Sequence, residues 1–152
     1  KQYWKDTEHF KKEKTEMKRN FPKDTETFTY HNENPRKISA SDCVIRAIAK
    51  ATEKSWSETY HGLCLVGLDI KDIPNCKKVF ELYLKRSGYD MKKQIKDDQG
   101  KKITVLQFIE LFGQGTYILN LRGHLTTVID GKIYDTWNCG RQYVGNYWKI
   151  KN

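Results

Sequence analysis

A two-residue turn signal in the last quarter of the chain constrains the fold more than any other feature of the sequence. Asp130-Gly131 separates two short segments, residues 124–129 and 132–137, that are rich in β-branched and aromatic side chains. Asp-Gly between two such segments is typical of a β-hairpin with a two-residue turn. Once the turn is fixed, the pairing of the two strands follows by counting outward from it.

The predicted hairpin brings a histidine and a carboxylate together. Counting outward from the turn places Thr126 opposite Asp135 and His124 opposite Trp137. Side chains alternate between the two faces of a strand, so these four residues share one face of the sheet. Asp135 is then the diagonal neighbour of His124, about 7–8 Å away between backbone positions. A one-residue bulge would reverse this parity and favour Asn138 or Thr136 instead.

The segments that precede the hairpin are mostly helical. Helix start signals, either capping boxes or favourable first residues, lie at Ser41-Asp42, Ser55, Ile73-Pro74 and Thr104. The second helix is expected to end near residues 64–66 and the fourth at Gly113. Further β-prone segments lie at 27–30, 116–121 and 143–150. Helices followed by strands predict an α+β fold, with N-terminal helices packed on a C-terminal antiparallel sheet.

Charge divides the chain into two predicted parts. Residues 1–26 are highly charged and are expected to form an arm or solvated helix that ends near Pro22, whereas residues 27–152 are expected to form one domain. The whole chain carries a net charge of +9, which predicts attraction to an acidic partner. No recognised nucleic-acid-binding motif accompanies this charge, so nucleic acid is the less favoured partner.

The cysteine pattern indicates free thiols. The four cysteines are widely spaced, form no CxxC pair and lie at positions 43, 64, 76 and 139. This pattern is typical of a reducing compartment, and we expect a cytoplasmic protein with no metal centre and no cofactor. The longest uncharged apolar stretches are far shorter than the roughly 20 residues that a membrane span requires, so no membrane contact is expected.

Cys43 differs from the other cysteines because it is predicted to be the first or second residue of a helix. A lone cysteine is more often a small buried hydrophobic residue than a nucleophile. At a helix start, however, unpaired N–H groups and the positive end of the helix dipole stabilise a thiolate. The same N–H groups can hold an oxyanion that forms beside the sulfur. Cys43, His124 and Asp135 are therefore the candidate nucleophile, base and orienting carboxylate.

The two segments that carry these residues resemble a known superfamily. They read Asp-Cys-Val-Ile-Arg-Ala-Ile at 42–48 and Gly-His-Leu-Thr-Thr-Val-Ile-Asp-Gly-Lys-Ile-Tyr-Asp-Thr-Trp at 123–137. This order resembles the papain-like cysteine peptidases, in particular small bacterial and phage members and the bacteriocin-processing peptidases. In that superfamily a cysteine at a helix start precedes a histidine on one strand and an aspartate or asparagine on the next. The resemblance implies a papain-like domain with a Cys-His-Asp catalytic triad.

Four further residues are expected to complete the site. The superfamily commonly places a glutamine shortly before the cysteine to stabilise the oxyanion, and residues 34–41 contain none. Asn34 or Ser41 is expected to take that role, with Asn32 as a further alternative. Gly123 would allow a close approach of the substrate backbone, and Trp137 would cover the His–Asp pair.

Three functions follow from these expectations. The first is a thiol hydrolase, most simply a cysteine peptidase, that acts on a protein or peptide. The positive net charge of the chain favours acidic substrate sequences. The second is a thiol-dependent acyltransferase, because the same triad can pass an acyl group to an amine instead of water. The third is a non-catalytic binding or inhibitor protein on the same fold, such as a phage counter-defence protein. The reactivity of Cys43 separates the two enzymes from the binding protein.

Overall fold

The computed structural model describes residues 21–152, and most of the arm predicted at 1–26 lies outside the described residues. The helices are α1 (Cys43–Thr52), α2 (Trp56–Ile70), α3 (Lys77–Arg86) and α4 (Val105–Leu111). The strands are β1 (Phe28–Tyr30), β2 (Met91–Lys92), β3 (Thr116–Leu121), β4 (His124–Ile129), β5 (Lys132–Asp135) and β6 (Tyr147–Lys151). The predicted α+β class is confirmed. Within residues 21–152, no helix has both the length and the apolar character needed to cross a lipid bilayer.

The strands form one mixed sheet: the C-terminal strands pair antiparallel as predicted, and the N-terminal strand β1 adds a parallel edge. The strand order is β1-β5-β4-β3-β6-β2, and β1 runs parallel to β5 at one edge. The other pairings are antiparallel. After β1 the chain passes through all four helices before it reaches β5, and such a long crossover lets a strand return in the same direction. A strand of three residues carries no sequence signal for its direction, so the parallel pairing could not be predicted.

The hairpin at Asp130-Gly131 forms as predicted. Both turn residues have positive φ angles, 47° and 78°, as a type I′ turn requires. Val128 pairs with Ile133, which is the register obtained by counting outward from the turn. Strand β5 ends at Asp135 and does not continue to residue 137. The start of β4 and the end of β5 therefore lie side by side at one end of the sheet.

Helix α1 packs against the sheet and is tied directly to β4. Its apolar face, which includes Ile48, joins a buried cluster with Leu125 of β4. The Thr127 hydroxyl of β4 donates a hydrogen bond to the Ala47 carbonyl at 2.6 Å. A second buried cluster surrounds Phe108 of α4. Since burial of apolar surface and a buried hydrogen bond both join α1 to β4, the first residue of α1 is held at a fixed place beside the strand.

The N-caps of α2 and α4 agree with the sequence signals. Ser55 and Thr104 form complete capping boxes at the starts of these helices. Asp42 occupies the N-cap position of α1, as the start signal at Ser41-Asp42 predicts, but its side chain makes no hydrogen bond to the N–H groups of the first turn. Those N–H groups are therefore left without a side-chain cap.

Two helix boundaries differ from the predicted ones. Helix α2 continues to Ile70 instead of ending near 64–66. Its C-cap is Lys71, which adopts a left-handed conformation with a φ angle of 59° although it is not a glycine. Helix α3 begins at Lys77 instead of at 73–74, since the intervening residues form a turn. Neither difference affects the elements that carry Cys43, His124 and Asp135.

Candidate active site

Three elements meet at one end of the sheet. His124 is the first residue of β4, Asp135 is the last residue of β5, and Cys43 is the first residue of α1. A cleft of about 600 Å³ opens at this point, and both Cys43 and His124 line it. The structure thus brings together the three residues that the sequence analysis selected as nucleophile, base and orienting carboxylate.

The Asp135 carboxylate holds His124 through a short hydrogen bond. His124 Nε2 lies 2.6 Å from Asp135 Oδ2, and the same oxygen accepts from the Thr126 hydroxyl at 2.7 Å. The other oxygen accepts from the Thr136 backbone N–H at 2.7 Å. Burial raises the pKa of Asp135, but the hydrogen bond and charge of His124, with the bonds from Thr126 and Thr136, outweigh burial and hold that pKa below its usual value.

The Cys43 thiol is half-buried and lies at the same cleft wall as His124. Burial raises the pKa of this thiol. The hydrogen bond with His124, a hydrogen bond from the Leu125 backbone N–H and the positive charges of His124 and Arg46 together lower the pKa below its ordinary value. Because Nε2 of His124 faces Asp135, the nitrogen left to face Cys43 is Nδ1.

His124 lies between two groups that favour its protonated form. Burial lowers the pKa of His124, but the hydrogen bonds and negative charges of Asp135 and Cys43 raise it to about 9. The lowered thiol pKa and the raised imidazole pKa both shift the pair towards a thiolate beside an imidazolium. A thiolate is the nucleophilic form of cysteine, so these pKa shifts favour attack by Cys43 on an electrophilic carbon.

A buried chain of ion pairs that the sequence analysis missed lies behind these residues. Arg46 Nε donates to Asp42 Oδ1 at 2.8 Å, and Arg46 Nη1 donates to Asp135 Oδ1 at 3.2 Å. Asp42 Oδ2 also accepts from Asn34 Nδ2 and from Trp56 Nε1, both at 2.9 Å. Helical periodicity places Arg46 on the polar face of α1, and no local signal in the sequence indicates that β5 covers this face.

The position of Asn34 corrects its predicted role as an oxyanion donor. Asn34 is 5% exposed and does not line the cleft. Its amide donates to Asp42, and its side-chain oxygen accepts from the Arg36 backbone N–H at 2.9 Å. The turn at residues 34–37 directs this amide inward, because a buried carboxylate requires hydrogen-bond donors. Asn34 therefore supports Asp42 from behind the cleft.

The other three residues expected in the site do line the cleft. Ser41, Gly123 and Trp137 all contribute to its walls. Gly123 has a φ angle of 66° in the short turn between β3 and β4, a conformation that favours glycine. The Trp137 ring lies 5.1 Å from the His124 ring between centroids and is 40% exposed. Trp137 thus covers one side of the imidazole and leaves the cleft open to solvent.

Two residues near the start of α3 also line the cleft and were not selected from the sequence. They are Asn75 and Lys77. The Asn75 amide donates to the Ser41 carbonyl at 2.7 Å, which joins the turn before α3 to the loop before α1. Both residues reach the site only through tertiary packing of α3, so periodicity and motif spacing gave no signal for them.

Asn138, the competing orienting residue, is not bonded to His124. Its side-chain oxygen accepts from the Gly140 backbone N–H at 3.1 Å. The regular hairpin register, without a bulge between β4 and β5, gives this place to Asp135 instead.

One group of side chains near the site has the composition of a metal centre. Ligand atoms of His124, Asp135 and Cys139 all lie within 4.8 Å of one another. Burial and, to a lesser extent, the negative charge of Asp135 raise the pKa of Cys139 to about 12. The protonated thiol is therefore the favoured form of Cys139, whereas metals bind the thiolate. Arg46 already places a positive charge on Asp135. These surroundings favour the hydrogen-bonded arrangement over a bound cation.

Comparisons with protein-family models, with curated proteins and with solved structures found no match.

We predict that iodoacetamide modifies Cys43 faster than the other cysteines at pH 6. Its thiol pKa is lowered, whereas a hydrogen bond to Asp72 raises the pKa of Cys76, and burial raises that of Cys139. A thiol with the ordinary pKa of about 8.5 loses roughly tenfold in thiolate per pH unit below that value. Mass spectrometry of the labelled peptides measures the four rates. Cys64, which is half-buried like Cys43, is the matched control, and equal rates at these two residues would contradict the prediction.

Proposed function

We propose that this protein is a thiol hydrolase, most simply a cysteine peptidase, with Cys43 as nucleophile, His124 as acid and base, and Asp135 as the residue that orients His124. The observation that carries the proposal is the placement of Cys43 and His124 together at the wall of an open cleft, with His124 hydrogen-bonded to the buried Asp135 carboxylate and the His124 side chain lowering the pKa of the Cys43 thiol. A structural cysteine requires neither an imidazole partner nor an opening to solvent. The resemblance of the sequence motifs to papain-like peptidases supports the same function.

The proposed reaction has two halves. In the first, the Cys43 thiolate attacks the carbonyl carbon of the scissile bond, and His124 gives its proton to the leaving amine as the C–N bond breaks. This half leaves a thioester on Cys43. In the second, water gives a proton to His124 and attacks the thioester, so that the acid is released and Cys43 leaves as a thiolate. Asp135 remains ionised and stabilises the imidazolium in both halves.

Two groups of donors can stabilise the oxyanion that forms in each half. The first is the set of backbone N–H groups at the start of α1, which the Asp42 side chain leaves uncapped. The second is Asn75, which lines the cleft and uses one amide N–H on the Ser41 carbonyl. An amide nitrogen carries two N–H donors, so Asn75 has one left for the oxyanion. Asn75 therefore replaces Asn34 as the proposed side-chain donor.

The walls of the cleft favour a peptide with an apolar side chain and an acidic neighbour. The apolar lining residues include Val44, Phe80, Leu121 and Leu125. Lys77 also lines the cleft, and its side chain is 58% exposed and forms an ion pair with Glu81. No aspartate or glutamate occurs among the described residues that line the cleft. The local charge therefore agrees with the net charge of the chain in favouring acidic substrates.

Two alternatives employ the same residues. A thiol-dependent acyltransferase differs only in the acceptor, so an added amine would divert the thioester from hydrolysis to amide formation. A non-catalytic binding protein would need no thiolate at Cys43. We favour hydrolysis because the cleft is open beside the half-exposed Trp137, which gives water access to the thioester. We also infer a cytoplasmic location, since all four cysteines are free and a reducing compartment keeps them so.

We predict that Asp135→Asn lowers turnover by orders of magnitude, up to about 10⁴-fold, which is the loss caused by the comparable change in serine triads. A neutral amide cannot stabilise the His124 imidazolium as a carboxylate does. The measurement is cleavage of a mixed-sequence peptide library, followed by mass spectrometry. Asn138→Ala is the matched control, because its hydrogen bond goes to Gly140, and its turnover should remain within a few-fold of the parent protein. Similar losses in both variants would exclude the assigned role of Asp135.

We also predict that Lys77→Gln reduces the preference for acidic peptides. The ratio of acidic to neutral peptides cleaved should fall by about 1.5- to fivefold, because an exposed ion pair contributes about 0.2–1 kcal/mol. Lys78→Gln is the control, since Lys78 is adjacent in sequence but does not line the cleft. An unchanged ratio in Lys77→Gln, or an equal change in both variants, would show that Lys77 does not select the substrate.

A further inference from the structure

We propose that Arg46 is a positioning residue of this site, which locks the strand that orients His124 to the helix that carries Cys43. The inference rests on the proposed function and adds a residue that thiolate chemistry alone does not require. Arg46 is one turn along α1 from Cys43 and borders the cleft. Its guanidinium is bonded to Asp42, Asp135 and Thr136, so it acts through its two carboxylate partners rather than on the substrate.

The geometry of Arg46 is that of a bridge. The Nε atom donates to Asp42, which immediately precedes α1. The Nη1 atom donates both to Asp135 and to the Thr136 hydroxyl, the latter at 3.1 Å. Asp42 directly precedes Cys43 in the chain, and Asp135 directly contacts His124. A single guanidinium therefore spans the two segments whose relative position sets the distance between the sulfur and the imidazole.

Burial makes this bridge restrictive. The side chains of Asp42 and Asp135 are 6% and 4% exposed, and that of Arg46 is 11% exposed. Buried carboxylates require charged or hydrogen-bonding partners, so neither can turn away from Arg46 without losing one. Arginine suits this place because its planar group presents several N–H donors in fixed directions, whereas lysine presents a single charged nitrogen.

The charges around the sulfur give the bridge a second effect. The charged or titratable side chains that line the cleft with Cys43 are Arg46, Lys77 and His124. The carboxylates of Asp42 and Asp135 are bonded to Arg46. The positive charge of Arg46 contributes to lowering the pKa of the Cys43 thiol, although less than His124 and the Leu125 N–H do. Loss of Arg46 should therefore change the pH profile of the thiol, which a purely structural arginine would leave in place.

The experiment measures the rate of Cys43 alkylation by iodoacetamide between pH 5 and about 9 in the full chain. We expect Arg46→Gln to raise the midpoint of the profile and to lower the rate at pH 6 by about three- to tenfold, since one pKa unit is a factor of ten in the thiolate fraction. Arg46→Lys keeps the charge but not the two-sided bridge, so its rate should lie between those of the parent protein and Arg46→Gln. A profile of Arg46→Gln that superimposes on the parent profile would overturn the proposal.

A double-mutant cycle tests whether Arg46 acts through Asp135. We expect Arg46→Gln to lower the Cys43 alkylation rate at pH 6 by a smaller factor in the Asp135→Asn background than in the parent protein. The reason is that Asp135→Asn has already replaced the carboxylate through which Arg46 acts. The same fold-loss in both backgrounds would contradict the proposal. If Arg46→Gln does not fold, as judged by its thermal transition, Arg46→Lys takes its place in the cycle and is judged by the same criterion.

Arg86→Gln is the matched control for the substitution itself. Arg86 forms an ion pair with Asp69 at 2.6 Å, but both side chains are half-exposed and lie away from the cleft. Its alkylation profile should superimpose on that of the parent. The two hypotheses fail separately: a parent Cys43 that is no more reactive than Cys64 contradicts the proposed function, whereas a reactive Cys43 that is insensitive to Arg46 contradicts only this inference.

Discussion

The Asp135 carboxylate is the group on which the rest of the site depends. It is 4% exposed and accepts hydrogen bonds from His124 and Thr126 of β4, from the Thr136 backbone and from Arg46 of α1. One buried anion therefore joins two strands and a helix. Removing one partner of a buried ion pair costs about 3–5 kcal/mol of folding free energy, so the contacts of Asp135 contribute to stability as well as to the site.

The contacts that stabilise the fold also define the pH range of the charged site. The pKa of His124 is raised to about 9, so its contribution to stability is fully present below the unfolded value near 6.5 and is lost as the pH rises through about 9. The pKa of Asp135 is lowered, so its contribution is present above the unfolded value near 3.9 and is lost as the pH falls through the folded value. Stability and the imidazolium–carboxylate pair therefore share one pH window.

The parts of the site that were predicted from the sequence are those that local geometry determines. His124 and Asp135 are 11 residues apart, and a two-residue turn between them fixes their register. Cys43 was placed at a helix start by the polar residues before it. Arg46 and Asp135 are 89 residues apart, and only the packing of α1 on the sheet brings them together. The parallel pairing of β1 and the inward turn of Asn34 likewise depend on tertiary contacts that no short segment of the sequence encodes.

The central claim is that Asp135 keeps His124 protonated and that this imidazolium keeps Cys43 as a thiolate. The most direct measurement is the ultraviolet absorbance of the thiolate as a function of pH, taken as the difference between the parent protein and Cys43→Ala. We expect this absorbance to appear well below the ordinary thiol pKa of about 8.5 and to move to higher pH in Asp135→Asn. A Cys43 thiolate that forms only near pH 8.5, with the same midpoint in both proteins, would contradict the claim.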